Sequence, residues 1–484
     1  MEILTKFDYA KVRFDQENLV SLMASFKAPT IELETERQPL NLVAILDISG
    51  SMGCSNKLES MKRTASTLVD HLSERDQLGI VIFSTAVSKL ASVKPCTAER
   101  KEELKQRISN LTPHDLTNIS GATLLGYELM QNIEGNLNRL LLLTDGLPNQ
   151  GVSDLSGLVD LVKNRPKGIT LSTFGFGTDH DPELLQSMAK AGDGNFYFIE
   201  NADAINTAFA QELGGLLTCY AQNICLKITP KPGVEIDEIL NDAYEYDIKE
   251  KETEIRIPDM FSEELKNVSL KVKLEPRTSA LPRKTCIAKI KVSFTNLMTK
   301  KTETIETNAK IEFVKPGEES TERDKEVKEA EAILEASKTQ AKAIKMANMG
   351  NFTGAQVAMA NCCNLMDSIG TLKADELGAE LQEWTANLTN DKYNSSVGYL
   401  GTQRAYSYST GRASGQSVGS FTGTEAQKRM QKSFEDSNQA SGGDQIKVPK
   451  KEDKNKHIIV PGEKSPPKKK KKSNRPFSGK FLDK

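Results

Sequence analysis

The chain has 484 residues, room for two or three folded units of about 100–200 residues each; 38% apolar content beside 27% charge, 18 Pro and 32 Gly argues that part of it does not fold. The formal net charge of −2 hides an uneven split, because residues 397–484 hold 19 Lys/Arg against 8 Asp/Glu and leave 45 against 58 ahead of them. No apolar run approaches the roughly 18 residues needed to cross a bilayer, and seven scattered cysteines without CxxC or Cys/His ligand spacing exclude a disulfide framework and a zinc site.

The first residues, MEILTKFDYAKVRF, alternate apolar and polar types and carry no basic start or apolar h-region. They predict no secretory signal, hence a cytoplasmic protein. Residues 1–40 continue in period two, with Val20, Leu22 and Ala24 on one face. They hold too few strands for a sheet of their own, so they are expected to pair with strands further along. From 41 to 216 the pattern changes. Buried runs at 41–46, 77–83, 139–144 and 169–174 alternate with helical stretches, the first helix carrying Leu58, Met61, Ala65, Leu68, Val69 and Leu72. That order predicts an α/β domain built on a doubly wound, mostly parallel sheet. Period two returns over 217–316, as in Ile224, Leu226 and Ile228, then Val268, Leu270, Val272 and Leu274. The α/β domain is therefore expected to be inserted in an antiparallel β-sandwich. Residues 320–392 read as a packed helical segment, broken at Met349-Gly350-Asn351 and bracing the sandwich. From 393 to 484 a Ser/Gly/Tyr stretch gives way to Lys-rich sequence, read as a disordered tail that proteolysis would trim near residue 400.

The informative stretch is Asp47-Ile48-Ser49-Gly50-Ser51-Met52, where the first buried strand ends and a helix is about to begin. Open α/β sheets bind ligands beyond the carboxyl ends of their strands. A carboxylate and two hydroxyls at i, i+2 and i+4 can converge there on a hard cation, which takes oxygen ligands and commonly keeps positions for water or an outside oxygen; Gly50 is expected to supply the tight turn. Thr117, in HDLTNISGA, and Asp145, in LLLTDG, fall on two further loops at the same edge. Each fragment alone has a plain reading: a chance DxSxS, a helix cap at Thr117, a turn at Asp145-Gly146. In order, at the ends of successive strands, they point to a divalent metal held by Asp47, Ser49, Ser51, Thr117 and Asp145.

These three segments resemble the metal-ion-dependent adhesion site of the von Willebrand factor A-type domain, a resemblance covering about 41–216. It implies that Ser49, Ser51 and Thr117 coordinate Mg2+ (or Mn2+) through hydroxyls, with Asp47 and Asp145 direct or through water, and that the acidic residue of a partner protein completes the coordination. The sequence after Ser51 lacks the paired acidic residues used elsewhere for a second cation, so one metal is expected. Asp115 and His114, just ahead of Thr117, read as a solvated turn, and Cys54 as a free thiol. The junction AFAQELGGLLTCYAQNICLKITP looks like that of inter-alpha-trypsin inhibitor heavy chains, calcium-activated chloride-channel regulators and plant RING-finger A-domain proteins. The helical segment and the tail around Arg404-Ala405-Tyr406 and Arg412-Ala413-Ser414 look most like the last group, although the Cys/His array of a RING is absent.

The resulting expectation is a non-enzymatic, metal-dependent protein-binding or scaffold protein; the alternative is a substrate-recognition component of a ubiquitin-ligase-type assembly with no RING of its own. No GxxxxGK[ST], HExxH or GxSxG motif is present, and the four histidines (71, 114, 180 and 457) are far apart. Phe174-Gly175-Phe176-Gly177 lacks the third glycine of a dinucleotide fingerprint. The Lys468 to Lys472 run, with Lys464, Arg475 and Lys480, has no interleaved aromatics; it resembles a nuclear-import signal more than a specific nucleic-acid site.

Overall fold

The computed structural model describes residues 1–432 apart from 32–37, 55, 115, 132, 134–136, 179, 201, 250, 413–422, 426 and 430. The strands β1 (Glu2–Phe7), β2 (Lys11–Arg13) and β3 (Asn18–Lys27) lead into the α/β domain. That domain runs β4 (Asn41–Asp47), α1 (Lys57–His71), β5 (Gln77–Phe83), β6 (Val87–Pro95), α2 (Ala98–Ser109), α3 (Ile119–Met130), β7 (Asn138–Thr144), α4 (Leu155–Lys163), β8 (Ile169–Phe176), α5 (Pro182–Ala191), β9 (Asp193–Ile199) and α6 (Ala202–Leu217). Then follow β10 (Cys219–Pro230), β11 (Val234–Ile239), β12 (Glu245–Ile248), β13 (Thr253–Phe261), β14 (Leu265–Leu274), β15 (Lys284–Asn296) and β16 (Lys301–Val314). The sandwich strands are followed by α7 (Lys325–Asn348), α8 (Phe352–Asp367), α9 (Leu372–Thr385) and α10 (Ser395–Thr410).

The sheet of the α/β domain has the order β6-β5-β4-β7-β8-β9, parallel throughout except that the edge strand β6 runs antiparallel to β5. Every residue of β4 is buried, as a central strand covered by helices on both faces requires. The chain goes from β4 to β5 on one side and later to β7 on the other, so the crevice at the switch of direction opens between β4 and β7. Asp47 ends the first of these strands and Asp145 directly follows the second. Helix α3 packs so closely beneath them that a Cβ on Gly126 would lie 2.8 Å from Ile45 and 2.9 Å from Leu140.

The insertion expected from the alternating patterns is what the strands form. A four-stranded sheet, β1-β3-β14-β11, faces a six-stranded sheet, β12-β13-β10-β15-β16-β2, around a shared core that includes Leu22, Leu226, Val268, Leu270, Ile290 and Val292. The first strands do pair with later ones, β3 with β14 antiparallel and β2 with β16, the latter in parallel. Helix α7 braces the sandwich through Val327 and Ala330 against Met23 and through Glu331, which pairs with Lys271 at 2.6 Å.

One boundary differs from expectation. Residues 395–410, read as the start of a disordered tail, are helix α10, seated against α7 and the edge strand β9. Its tyrosines point inward with their hydroxyls on fixed acceptors: Tyr399 to Thr178 O at 3.1 Å, Tyr406 to Gly194 O at 2.6 Å and Tyr408 to Glu380 Oε2 at 3.1 Å. Gln403 Oε1 accepts from the Phe198 amide of β9 at 3.1 Å. The Ser/Gly/Tyr composition reads as solvated only if these polar atoms have no partners; with partners, the rings bury as apolar surface. The rest of the expected tail, including Lys468 to Lys472, lies outside the described residues save for 393–394, 411–412, 423–425, 427–429 and 431–432.

Beyond α10, Gly411 turns the chain at φ +66 and delivers Arg412 into a buried ionic cluster. Its guanidinium donates to Asp259 Oδ1 at 2.5 Å and to Glu264 Oε1 at 2.7 Å and lies 4.0 Å over the Phe261 ring. Arg139, from β7, donates to the other oxygen of Asp259 at 2.9 Å, Lys266 sits 2.9 Å from Glu264, and Glu212 of α6 approaches Arg139 at 4.0 Å. Burial alone would raise the Asp259 carboxyl, but the Arg412 and Arg139 guanidiniums hold it at about 2. A depressed carboxyl of this kind stabilises the fold above its unfolded value of 3.8 and ceases to do so as pH falls through about 2. Arg412→Met, which leaves Asp259, Glu264 and Glu212 buried against only Arg139 and Lys266, is expected to cost about 3–5 kcal/mol in urea denaturation. Asp259→Asn should remove this share of the acid transition, and limited proteolysis should leave a body that retains 395–412 rather than stopping near residue 400.

Candidate metal centre

The loop after β4 enters a single 3-10 turn, Gly50–Gly53, before α1. Gly50 is right-handed here and not among the positive-φ glycines, so the tight turn comes from the 3-10 geometry and not from glycine's access to left-handed space. Asp47 is fully buried. One of its oxygens accepts the Ser49 amide at 2.7 Å, the other the Thr144 hydroxyl at 2.5 Å. Ser49 Oγ and Ser51 Oγ stand 3.1 Å apart, and Ser51 Oγ donates to Asp145 Oδ1 at 2.7 Å. The second oxygen of Asp145 receives the Lys57 ammonium at 2.7 Å.

Thr117 arrives from the other side. The helix cap is its neighbour, Asn118, whose side chain accepts the Gly121 amide at 2.9 Å, so Thr117 is not needed as a cap. Its amide donates to Asn149 Oδ1 at 2.8 Å, and its carbonyl accepts from the amides of Asn149 and Gln150 at 3.1 and 3.2 Å. This stitches the loop before α3 to the loop after β7. A Cβ placed on Gly146 would lie 3.1 Å from Thr117 Oγ1 and 3.6 Å from Ser51 Oγ. The five residues singled out from the sequence are thus brought to one place, Thr117 and Ser51 around Gly146, Ser51 bridging Ser49 and Asp145, and Asp47 beneath Ser49.

The donor set fits a hard divalent cation. Adjacent ligands of a six-coordinate ion at about 2.1 Å stand about 3 Å apart, the spacing of the two serine hydroxyls. Ser51 gives its proton to Asp145, so it accepts at the Ser49 contact, and one lone pair of its oxygen remains for an ion. Among the described residues no group of three or more His, Cys, Asp or Glu side chains is placed to hold a metal ion; the oxygens gathered here come from hydroxyls as much as from carboxylates.

Three supporting residues escaped the sequence reading. Thr144, inside the TDG segment, orients Asp47 and also accepts the Gly146 amide at 3.2 Å. Asn149 fixes the Thr117 backbone, and Lys57, the first residue of α1, holds Asp145. A lysine opening a helix directly after the DISGSM loop was the available signal, since a cation at a helix start runs against the dipole and needs a partner. His114 contributes through its backbone, donating to Ile48 O at 2.6 Å, while its ring is exposed. Asp115 lies outside the described residues; Cys54 is an exposed free thiol.

Burial pushes Asp47 up to about 6, the donors on Ser49 and Thr144 oppose that rise, and Asp145 adds to it. A carboxyl raised in the fold favours folding most below its unfolded 3.8, and that contribution is lost as pH rises through about 6. In metal-free buffer the wild type should lose on the order of 2 kcal/mol through this group between pH 4 and pH 7. Asp47→Asn should lack that component when the two proteins are unfolded in urea across the same range.

A family model for the von Willebrand factor type A domain matches residues 41–211. Among curated proteins, the uncharacterized protein YfbK of Escherichia coli (strain K12) is 30% identical over 196 residues, 40% of this chain and 34% of that protein. Inter-alpha-trypsin inhibitor heavy chain H3 of Rattus norvegicus is 27% identical over 208 residues, 40% of this chain and 23% of the other. The matches therefore span about a third of the first relative and under a quarter of the second. Among solved structures, a von Willebrand factor type A protein from Catenulispora acidiphila superposes with a TM-score of 0.66 at 12% identity, covering 84% of this chain and 96% of that one. The ArnB paralog VWA2 from Sulfolobus acidocaldarius does so with a TM-score of 0.56 at 17% identity, covering 84% and 97%. These two likenesses extend beyond the α/β domain and concern the fold.

Proposed function

Residues 41–211 form a von Willebrand factor type A domain, and from that premise we propose that the protein is a metal-dependent binding protein whose partner docks on one Mg2+ or Mn2+ held by Asp47, Ser49, Ser51, Thr117 and Asp145. A domain of this type points to an interaction or adhesion role. The observation that carries the finer reading is the convergence of Ser49 Oγ, Ser51 Oγ and Asp145 within 3.1 Å links, beside Thr117, at the carboxyl edge between β4 and β7. When bound there, the ion would supply a Lewis-acidic position for an outside oxygen.

The chain's own residues do the rest. Asp47 sits beneath the serines and is fixed by Thr144, so its charge faces the site without being able to swing toward a substrate. Asp145 is held on both oxygens by Ser51 and Lys57. With each carboxylate engaged on both sides, neither is poised as a general base, which favours binding over hydrolysis. Three neutral hydroxyls beside two carboxylates leave positive character at the site, and the ligand chemistry that suits it is a carboxylate from a partner protein. Leu116 and Leu147, each next to a proposed ligand loop, are 37% and 54% exposed and offer apolar contact around that carboxylate.

Calorimetry with Mn2+ is expected to show one ion per chain, with Thr117→Ala and Asp145→Ala each weakening it about tenfold or more. Thr117→Ala should leave the melting temperature of the metal-free protein within a few degrees, because the bonds that hold its loop to Asn149 and Gln150 are made by the Thr117 backbone. A partner captured in Mg2+ should be released by EDTA and should not bind Thr117→Ala. Unchanged Mn2+ affinity in both variants would overturn the assignment.

A further inference from the structure

Lys57 is not one of the oxygen donors of the site, yet it is built into it. Its ammonium lies 2.7 Å from Asp145 Oδ2, with the lysine side chain 10% exposed and the aspartate fully buried. The opposite oxygen of that carboxylate is the one that takes the Ser51 hydroxyl. A surface lysine held by chance would not be so enclosed, and the enclosure has a second wall. Gly177, which ends the Phe174-Gly175-Phe176-Gly177 segment, adopts φ +67, and a Cβ there would come within 3.0 Å of Lys57 Cε and 3.4 Å of its Nζ. The glycine that the sequence offered as a fragment of a nucleotide fingerprint instead leaves room for the lysine stem.

The two carboxylates at the site are consequently in different electrostatic settings. Asp145 has a cation at hydrogen-bond distance. Asp47 accepts from neutral donors, the Ser49 amide and the Thr144 hydroxyl. A divalent ion entering such a site meets two carboxylate charges, one of them already offset by an ammonium that occupies the same carboxylate.

We propose that Lys57 is the residue that tunes the metal centre: by offsetting Asp145 it keeps the divalent ion weakly bound and correspondingly electropositive toward an incoming carboxylate. This rests on the metal-binding reading above and adds to it the residue that sets the affinity. The alternative role, that Lys57 merely holds Asp145 in place for the ion, predicts the opposite sign. Removing a tuning cation strengthens metal binding, whereas removing a positioning residue weakens it.

The test is Mn2+ titration by calorimetry of the full chain and its variants, with the fold of each checked by circular dichroism and thermal melting. Lys57→Met, which keeps the stem and removes the charge, is expected to bind Mn2+ about tenfold more tightly than wild type, the order expected for deleting one nearby positive charge in a partly buried setting. Lys57→Arg, which keeps the charge, should stay closer to wild type than Lys57→Met does. Gly177→Ala, which crowds the lysine from outside the ligand set, should tighten binding by a smaller factor and keeps the test open if Lys57→Met folds poorly. Equal or weaker Mn2+ binding in Lys57→Met and Gly177→Ala, with wild type binding normally, overturns the tuning role and leaves the metal site standing. Absence of Mn2+ binding in wild type and in all three variants overturns the metal site itself, and the tuning role with it.

Discussion

Asp259 accepts one guanidinium on each of its oxygens, from residues 120 positions before it and 153 positions after it. Arg139 belongs to the α/β domain, Asp259 to the sandwich and Arg412 to the segment that leaves α10. Charges of this kind are costly to bury and tolerable only when each is paired and its remaining donors and acceptors are filled. The pairing here is close to complete: Glu264 takes Arg412 and Lys266, while Glu212 takes Ser172, Asn195 and Tyr197 as well as facing Arg139. None of the three parts can withdraw without taking a hydrogen-bonded ionic partner from another. The geometry of the whole body therefore depends on this cluster more than on any single apolar contact.

That dependence explains why an inserted domain, joined to its host by two chain crossings, is held in a fixed seat rather than on a hinge. The α/β domain is gripped at β7 through Arg139 and at β9 through the α10 tyrosine and glutamine side chains. Both grips act on the same parallel sheet that ends in the ligand loops. With β7 fixed, Asp145 at its end is fixed, and the bonds from Asn149 to Thr117 carry the same register across to α3. Rigid strands placing short loops is the arrangement that a multi-oxygen site needs, because each donor must be held to within a fraction of an ångström.

The central strands were legible because burial on both faces forces continuous apolar runs, as in NLVAIL and RLLLL, and the site was legible because its residue types sit where those runs stop. The edge strands were not. β6, VSKLASVKP, and β9, DGNFYFI, mix polar or small residues into short runs, and only neighbours far along the chain determine that they pair. Helix α10 was misread for a related reason. Composition records that SSVGYLGTQRAYSYST is rich in hydroxyls, but whether a hydroxyl is solvated or bonded to a carbonyl depends on tertiary partners such as Thr178 and Gly194. Its small residues serve close approach: a Cβ on Gly401 would meet the Trp384 ring at 2.6 Å. Lys57 carried a similar ambiguity, since a lysine opening a helix reads as solvated until the loop that supplies Asp145 is beside it.

The molecule uses cation–carboxylate pairs in two places, and the cation type differs in a way that matches the task. At the junction the cations on Asp259 are arginines, whose planar forks supply several donors at once and never lose their charge, so the contact is both directional and permanent. At the ligand edge the cation is a lysine, a point charge on a flexible stem that contacts one oxygen of Asp145. An arginine there would carry the same charge on a broader head, beside the Ser51 contact to the second oxygen of Asp145. The lysine leaves that oxygen to the serine hydroxyl, and with it the orientation of the lone pair that faces the site. A fixed junction and an adjustable edge thus follow from the same pairing rule applied with two different side chains.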